Sequence, residues 1–354
     1  MTTKAVLINV KETSLPKWKD FDFSKAKFGY TPTDHMFICE YSEGKWNNPR
    51  IQPFNNLNIS PFFAAFHYGQ SVFEGMKAFK MKDGKVAIFR LYDHAARFNK
   101  SLTRLCMPNI PESLFVESVS TLVDIDRNWV PGLLDSSLYI RPIMISSDER
   151  LGVRPSDNYI FMVVCSPSLA YYSAPLKVKL ETSFSRAFPG GTGFTKCGGN
   201  YGASFYPYKL AQSEGFDQII WTDAQNHENI EESGTMNLGF ISENNLITPP
   251  TGETILSGIT RDSVLKIAPL LGLKVIEQQL KVNQLEKMLV SSGKLEAFGI
   301  GTAATIAPIS EISLHGKIYS AYIEEDAKMY ALKKLITEMR LGIREEKFGW
   351  NTIL

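Results

Sequence analysis

Apolar residues fall along this chain in two rhythms. Short apolar runs bounded by Gly, Pro, Asn and Asp predict strands over 35–41, 86–90, 138–145 and 159–164. Between them, residues 93–106 carry apolar positions at helical spacing and stop ahead of Pro108, with Pro111 close behind, so a helix is predicted there. Later, 202–213 suits a helix closed by Gly215, and 217–222 suits a buried strand carrying Ile219, Ile220 and Trp221. Near the end, Met329, Leu332, Leu335, Ile336 and Met339 form one apolar stripe with Gly342 as C-cap, the mark of a packing helix. The stretch 166–177, with two prolines and several small residues, breaks both rhythms. It divides the chain into an N-terminal α/β domain over 1–168, a linker over 169–178 and a C-terminal domain over 179–354. No internal repeat or low-complexity tract is visible.

At 354 residues the chain is long enough for two cores. Thirty-eight basic against 37 acidic residues leave a net charge of +1, so no global field draws it to nucleic acid or to an anionic membrane. Small-molecule chemistry is the expectation. Cys39, Cys106, Cys165 and Cys197 lie far apart, without metal-ligand spacing, which predicts thiols in a reducing compartment and no structural zinc. Glu12 and Asp20, the lack of arginine before Arg50 and the lack of a long early apolar run predict a cytoplasmic location.

The candidate chemistry starts at Lys196, just ahead of Gly198 and Gly199, with Glu232 some thirty-six residues later beside the Gly234 turn. A lysine can form a Schiff base with an aldehyde, and a carboxylate can keep a pyridine nitrogen protonated so that the ring accepts electrons. That pairing is what a pyridoxal-phosphate enzyme needs. Glu231 is an adjacent carboxylate able to take the same role. Arg97, on the predicted helix, could grip a phosphate with two parallel hydrogen bonds, or be one more solvated arginine. The run 257–263 opens a helical pattern with Thr260 as its N-cap, and 299–304 is a strand ending in small residues; each can cradle an anion or simply turn.

These pieces, together with Phe66-His67-Tyr68-Gly69, Phe73-Glu74-Gly75-Met76-Lys77-Ala78-Phe79, Tyr139-Ile140-Arg141-Pro142, Gly258-Ile259-Thr260-Arg261 and Gly301-Thr302-Ala303, stand in the order and spacing of branched-chain amino-acid aminotransferases. The chain resembles that family from end to end. Thr33-Asp34-His35-Met36 and Arg50-Ile51-Gln52-Pro53-Phe54 resemble its longer form rather than the D-amino-acid aminotransferases and aminodeoxychorismate lyases.

The resemblance implies a mixed α/β, two-domain, fold-type IV architecture like that of D-amino-acid aminotransferase, with pyridoxal 5′-phosphate lodged between the domains of a homodimer. It makes Lys196 the catalytic amine and proton carrier, Glu232 the partner of the ring nitrogen and Tyr201 that of the phenolic oxygen. Arg97, Ile259, Thr260 and Thr302 would hold the phosphate, and Thr235 belongs to the same cofactor set. Phe28, Tyr68, Phe73, Tyr139 and Tyr201 would wall an apolar pocket for leucine, isoleucine or valine. Arg141 would receive the second carboxylate of glutamate or 2-oxoglutarate, and Thr302 and Ala303 the α-carboxylate. Leu151 and Val153, with Tyr68, would reach the neighbouring subunit's site. Ala304 and Ala307 stand where animal members carry a redox C-x-x-C pair, so thiol regulation of that kind is expected to be absent. A D-specific aminotransferase, a lyase or a non-catalytic binder of the cofactor are the alternatives.

Overall fold

The computed structural model describes residues 7–133, 135–291 and 293–354. The chain forms two compact units. One holds the chain up to Tyr171, with Lys196–Gly199 and Met339–Leu354; the other holds Tyr172–Thr195 and Asn200–Glu338.

The first unit is built on a sheet from β1 (Asn9–Val10), β2 (His35–Ser42), β3 (Lys45–Pro53), β4 (Ser71–Phe73), β5 (Met76–Lys80), β6 (Val86–Phe89), β7 (Ser137–Ser146) and β8 (Tyr159–Ser168). The C-terminal strand Asn351–Ile353 completes it, pairing antiparallel with β6. The order is β1, β3, β2, β8, β7, β5, β6 and the C-terminal strand, with β4 on β7. All four strands predicted in this half are present. The predicted helix is α2 (Leu91–Arg104), preceded by the short α1 (Ala64–Tyr68) and followed by α3 (Glu112–Ile125). Its apolar stripe Leu91, Ala95, Phe98 and Leu102 is buried, as the spacing of three and four requires. Phe98 and Phe115, one from each long helix, lie 5.8 and 5.9 Å from the Phe161 ring of β8, so aromatic packing fixes helices to sheet.

The second unit contains β9 (Leu176–Leu180), β10 (Gln218–Thr222), β11 (Ile230–Ser233), β12 (Met236–Ser242), β13 (Asn245–Thr248), β14 (Lys274–Glu277), β15 (Glu296–Gly301), β16 (Thr305–Leu314) and β17 (Lys317–Ser320). The order β11, β10, β9, β16, β15, β12 is joined end to end by the pairing of β11 with β12, so six strands close into a ring. The expected buried strand is β10, with Ile219, Ile220 and Trp221 at most 1% exposed. The helix expected over 202–213 is α5 (Phe205–Ser213), starting three residues later than expected, and a separate short helix, α4 (Gly198–Gly202), precedes it. The break has a local cause, because the Tyr201 carbonyl accepts from both the Ser204 amide at 3.0 Å and the Ser204 hydroxyl at 2.7 Å. A serine that bonds back to the preceding turn ends an α-ladder. The helices α6 (Ile259–Ile267), α7 (Val282–Ser291) and α8 (Lys328–Arg340) follow. The predicted stripe of α8 is buried throughout, and Gly342 beyond it has φ +64°.

The chain passes from the first unit to the second between Tyr171 and Tyr172, within the proline-broken stretch. Regular structure extends further into that stretch than its composition suggests, since β8 runs to Ser168 and β9 starts at Leu176. Lys196–Gly199 and the residues from Met339 group with the first unit although they come late in the sequence.

Candidate active site

Lys196 is held in the first unit by its own backbone. Its amide donates to Ser101 Oγ on α2 at 3.0 Å, and its carbonyl accepts the Phe73 amide at 3.0 Å. Cys197 next to it bridges Val72 of β4. The Lys196 Nζ then lies 5.1 Å from the centroid of the Phe73 ring.

Around this lysine the first unit gathers four of the residues predicted for the substrate side. Arg141 lies 4.5 Å over Phe73 and 5.2 Å over Tyr139. Its Nη2 donates to Tyr139 Oη at 2.8 Å, and Phe28 meets Tyr139 edge-on at 4.6 Å. Arg141 Nε is buried with no hydrogen-bond partner. An unmet guanidinium N–H in an aromatic wall is a place made for an acceptor, since leaving one buried costs about 1–3 kcal/mol. Gly75 makes this arrangement possible, because a Cβ there would stand 2.0 Å from Tyr139 Oη. The motif glycine is needed for close approach. The other three residues of this unit assigned to the substrate side are exposed: Tyr68 on α1 at 38%, Leu151 at 59% and Val153 at 88%.

Arg97 also belongs to this unit, and it forks onto a protein carboxylate. Its Nε and Nη2 donate to the two oxygens of Glu74 at 2.7 and 2.8 Å. His94 Nδ1 stands 2.8 Å from the same carboxylate and must donate to it. Burial alone would raise the fully enclosed Glu74 carboxyl. The Arg97 charge, with the hydrogen bonds from Arg97 and His94, holds it far below the usual carboxylate range. Burial pushes the His94 imidazole down, against the pull of Glu74, so it is neutral at pH 7. Glu74 and His94 had no role in the sequence reading, although Glu74 sits inside a motif and His94 three residues before Arg97.

In the second unit Glu232 is 3% exposed on β11, opposite Asn237 of β12. Its Oε1 accepts the Leu256 amide at 2.7 Å and Asn237 Nδ2 at 3.1 Å, and Oε2 lies 3.2 Å from Arg186 Nε. The two-residue turn between the strands needs Gly234, whose φ is +56° and whose added Cβ would stand 2.1 Å from Gln218 Oε1. Glu231 is also buried, with one oxygen unpartnered, and burial pushes its carboxyl up. Glu232 lines a small pocket with Tyr201, Thr235, Asn200, Thr195 and Arg186. Glu232, Tyr201 and Thr235 are predicted cofactor residues. Arg186 and Asn200 were missed because a lone arginine or asparagine carries no spacing signal.

Ile259 and Thr260 open α6 as expected, with the cap displaced. Gly258 is the N-cap and no side chain caps the helix, so Thr260 is its second residue rather than its cap. A Cβ on Gly258 would stand 1.9 Å from Asn237 Oδ1, so a glycine is required where a threonine cap would collide. The first-turn amides lie at the positive end of the helix dipole. Thr302 and Ala303 form the half-buried turn joining β15 to β16. Lys196, Arg97 and the aromatic wall thus belong to one unit, and Glu232, Tyr201, Thr235, the start of α6 and the Thr302 turn to the other.

Residues 71–312 match the family described as Amino-transferase class IV. Branched-chain-amino-acid transaminase 1 of Bacillus subtilis (strain 168) is 38% identical over 338 residues, covering 93% of this chain and 94% of its own. The branched-chain-amino-acid aminotransferase of Mycobacterium tuberculosis (strain H37Rv) is 37% identical over 334 residues, 91% of this chain and 90% of its own. The solved branched-chain aminotransferase of Escherichia coli is 25% identical with a TM-score of 0.72, covering 89% of this chain and 98% of that one. Another solved branched-chain amino acid aminotransferase, crystallised with pyridoxamine 5′-phosphate, is 27% identical with a TM-score of 0.72, covering 93% and 98%. With the fold and the motif order both shared along nearly its whole length, the chain belongs to the class IV aminotransferase family.

Proposed function

We propose that this class IV aminotransferase moves the amino group of L-leucine, L-isoleucine or L-valine to 2-oxoglutarate, and back, with pyridoxal 5′-phosphate as cofactor. Relatives 37–38% identical over most of the chain carry branched-chain aminotransferase names. Pyridoxal phosphate, when bound, supplies an aldehyde that condenses with amines and a ring that takes up the electron pair of the α-carbon. The residues present fit it. Glu232 is a buried carboxylate whose first oxygen is fixed by two donors, Tyr201 lines the same pocket, and Gly258 keeps side-chain bulk away from the start of α6.

In this reading Lys196 would hold the cofactor and move the proton at the substrate α-carbon. Glu232 would keep the ring nitrogen protonated, Tyr201 would donate to the phenolic oxygen, and Thr235 would belong to the same cofactor set. Arg97, oriented by Glu74, the amides of Ile259 and Thr260, and Thr302 would hold the phosphate. The single observation that carries the substrate class is the Phe28, Phe73, Tyr139 and Arg141 cluster. Three rings offer an aliphatic side chain an apolar wall. The unpartnered Arg141 Nε gives the second carboxylate of glutamate an acceptor's place. One pocket then serves both halves of the cycle. Thr302 and Ala303 take the α-carboxylate, and Tyr68, Leu151 and Val153 are the exposed residues of a homodimer that reach the neighbouring site. Among the described residues no helix is long and apolar enough to cross a membrane, and we place the enzyme in the cytoplasm.

The test is the visible spectrum of cofactor-loaded protein on addition of L-leucine and then 2-oxoglutarate. Loss of the long-wavelength band with leucine and its return with the oxo acid are expected. A band that ignores leucine and answers to a D-amino acid, or pyruvate release, would refute the assignment.

A further inference from the structure

Arg186 precedes the glycine-rich segment that leads to Lys196 and has no place in the roles above. Its side chain is 9% exposed. Nη2 donates to the Gly193 carbonyl at 3.0 Å and also to the Thr254 carbonyl, so two separate loops anchor the guanidinium. Anchored in this way, it brings Nε to 3.2 Å from Glu232 Oε2, yet Nε is buried with no hydrogen-bond partner. The contact is therefore charge on charge rather than a bidentate fork. On the other oxygen, the Leu256 amide and Asn237 Nδ2 donate to Glu232 Oε1.

From this geometry we propose that Arg186 is a positioning residue that makes Glu232 a weak base, and so keeps the proton on the cofactor's ring nitrogen rather than on the carboxylate. The proposal rests on the reading of Glu232 as the ring-nitrogen partner. A buried pyridinium–carboxylate pair has a neutral competitor in which the proton crosses to the acid, because low dielectric penalises charge separation. A cation 3.2 Å from the acceptor oxygen opposes that crossing, since the neutral acid would forfeit its attraction. Other ionisable groups on the same side do not cancel the effect. Glu231, on the same strand, is the nearest rival for the Arg186 charge, and burial pushes its carboxyl up, toward the neutral form. Asp223 acts on Glu231, and Tyr201 lines the same pocket.

The experiment loads the enzyme with pyridoxal phosphate labelled with 15N at the ring nitrogen and reads that nitrogen by NMR at pH 7. Wild type and Arg186→Lys, which keeps the charge, are expected at the pyridinium position. Arg186→Gln, which can still donate to one anchoring carbonyl, and Arg186→Met are expected to move toward the neutral-pyridine position. Circular dichroism and urea unfolding establish that each variant is folded. A pyridinium signal in either folded neutral variant overturns the proposal, as does a neutral signal in folded Arg186→Lys. Glu232→Gln separates the two layers. If it also leaves the pyridinium signal unmoved, Glu232 is not the ring partner and the parent reading fails; if it moves the signal while Arg186→Gln does not, only the role of Arg186 falls.

Discussion

Replacing Glu74 with glutamine tests the buried charge network most directly. The carboxylate is 0% exposed and holds Arg97 through two bonds of 2.7 and 2.8 Å, with His94 as a third donor. Glutamine keeps the volume but removes the negative charge that faces the Arg97 cation. Two unit charges about 4 Å apart at an effective dielectric of about 20 attract by about 4 kcal/mol. Breaking one side of a buried pair costs about 3–5 kcal/mol by mutation, so the two routes agree. Urea unfolding followed by tryptophan fluorescence is the assay, because Trp18, Trp46, Trp129 and Trp350 all belong to the first unit. With a slope of about 3 kcal/mol/M, the midpoint should fall by roughly 1–2 M. The pH dependence carries the sign. Glu74 is held below its unfolded value, so its contribution is fully present above about pH 4.3 and fades as pH falls toward the native value. The penalty should therefore be flat from pH 8 to pH 5 and shrink by pH 3. Adding Arg97→Met should recover part of the loss, because it removes the buried cation that has lost its carboxylate. A penalty under about 1 kcal/mol at pH 7, or one undiminished at pH 3, would show that Glu74 is not the anchor of a charged network.

Gly75→Ala should cost about 1–3 kcal/mol and raise KM for branched-chain substrates, because its Cβ meets Tyr139 Oη; steady-state kinetics should show partial relief in Gly75→Ala with Tyr139→Phe. His35→Asn should destabilise more at pH 5.5 than at pH 9. The bond to Asp126 raises the His35 pKa, so its contribution is present below about pH 6.5 and lost as pH rises through the native value; equal penalties at both pH values in chemical unfolding would count against it. Removing the cofactor from the loaded enzyme should lower its stability by about 2.7 kcal/mol relative to cofactor at a hundredfold its Kd. That loss should be smaller in Lys196→Ala, and differential scanning calorimetry of the two proteins would detect an equal response.

What could be read from sequence was whatever repeats with a period or sits in a motif. The stripes of α2 and α8 and the buried runs of β2, β7, β8 and β10 are local patterns, and each became the element expected. The Thr260 cap failed because the space at position 258 is set by Asn237, a residue twenty-one positions away that no local window contains. The helix over 202–213 was found with only its start displaced to Phe205, because the Ser204 hydroxyl competes for one carbonyl, which a composition count does not weigh. At the site, the motif residues were found by their order. Their supporting residues Glu74, His94 and Arg186 are recognisable only by what they touch in three dimensions.

The pairing of the C-terminal strand with β6 has a consequence for how the protein is made. A ribosome releases the strands of the second unit, from β9 to β17, before Asn351–Ile353 exists. Every partner within the ring is then available in an unbroken stretch of nascent chain, whereas β6, translated more than two hundred and fifty residues earlier, keeps one edge exposed until the end. The unit synthesised first is thus the one finished last. A shortened C-terminus should damage the oldest part of the polypeptide rather than the newest, and chaperone occupancy on translating ribosomes should persist over β6 long after its other neighbours have folded.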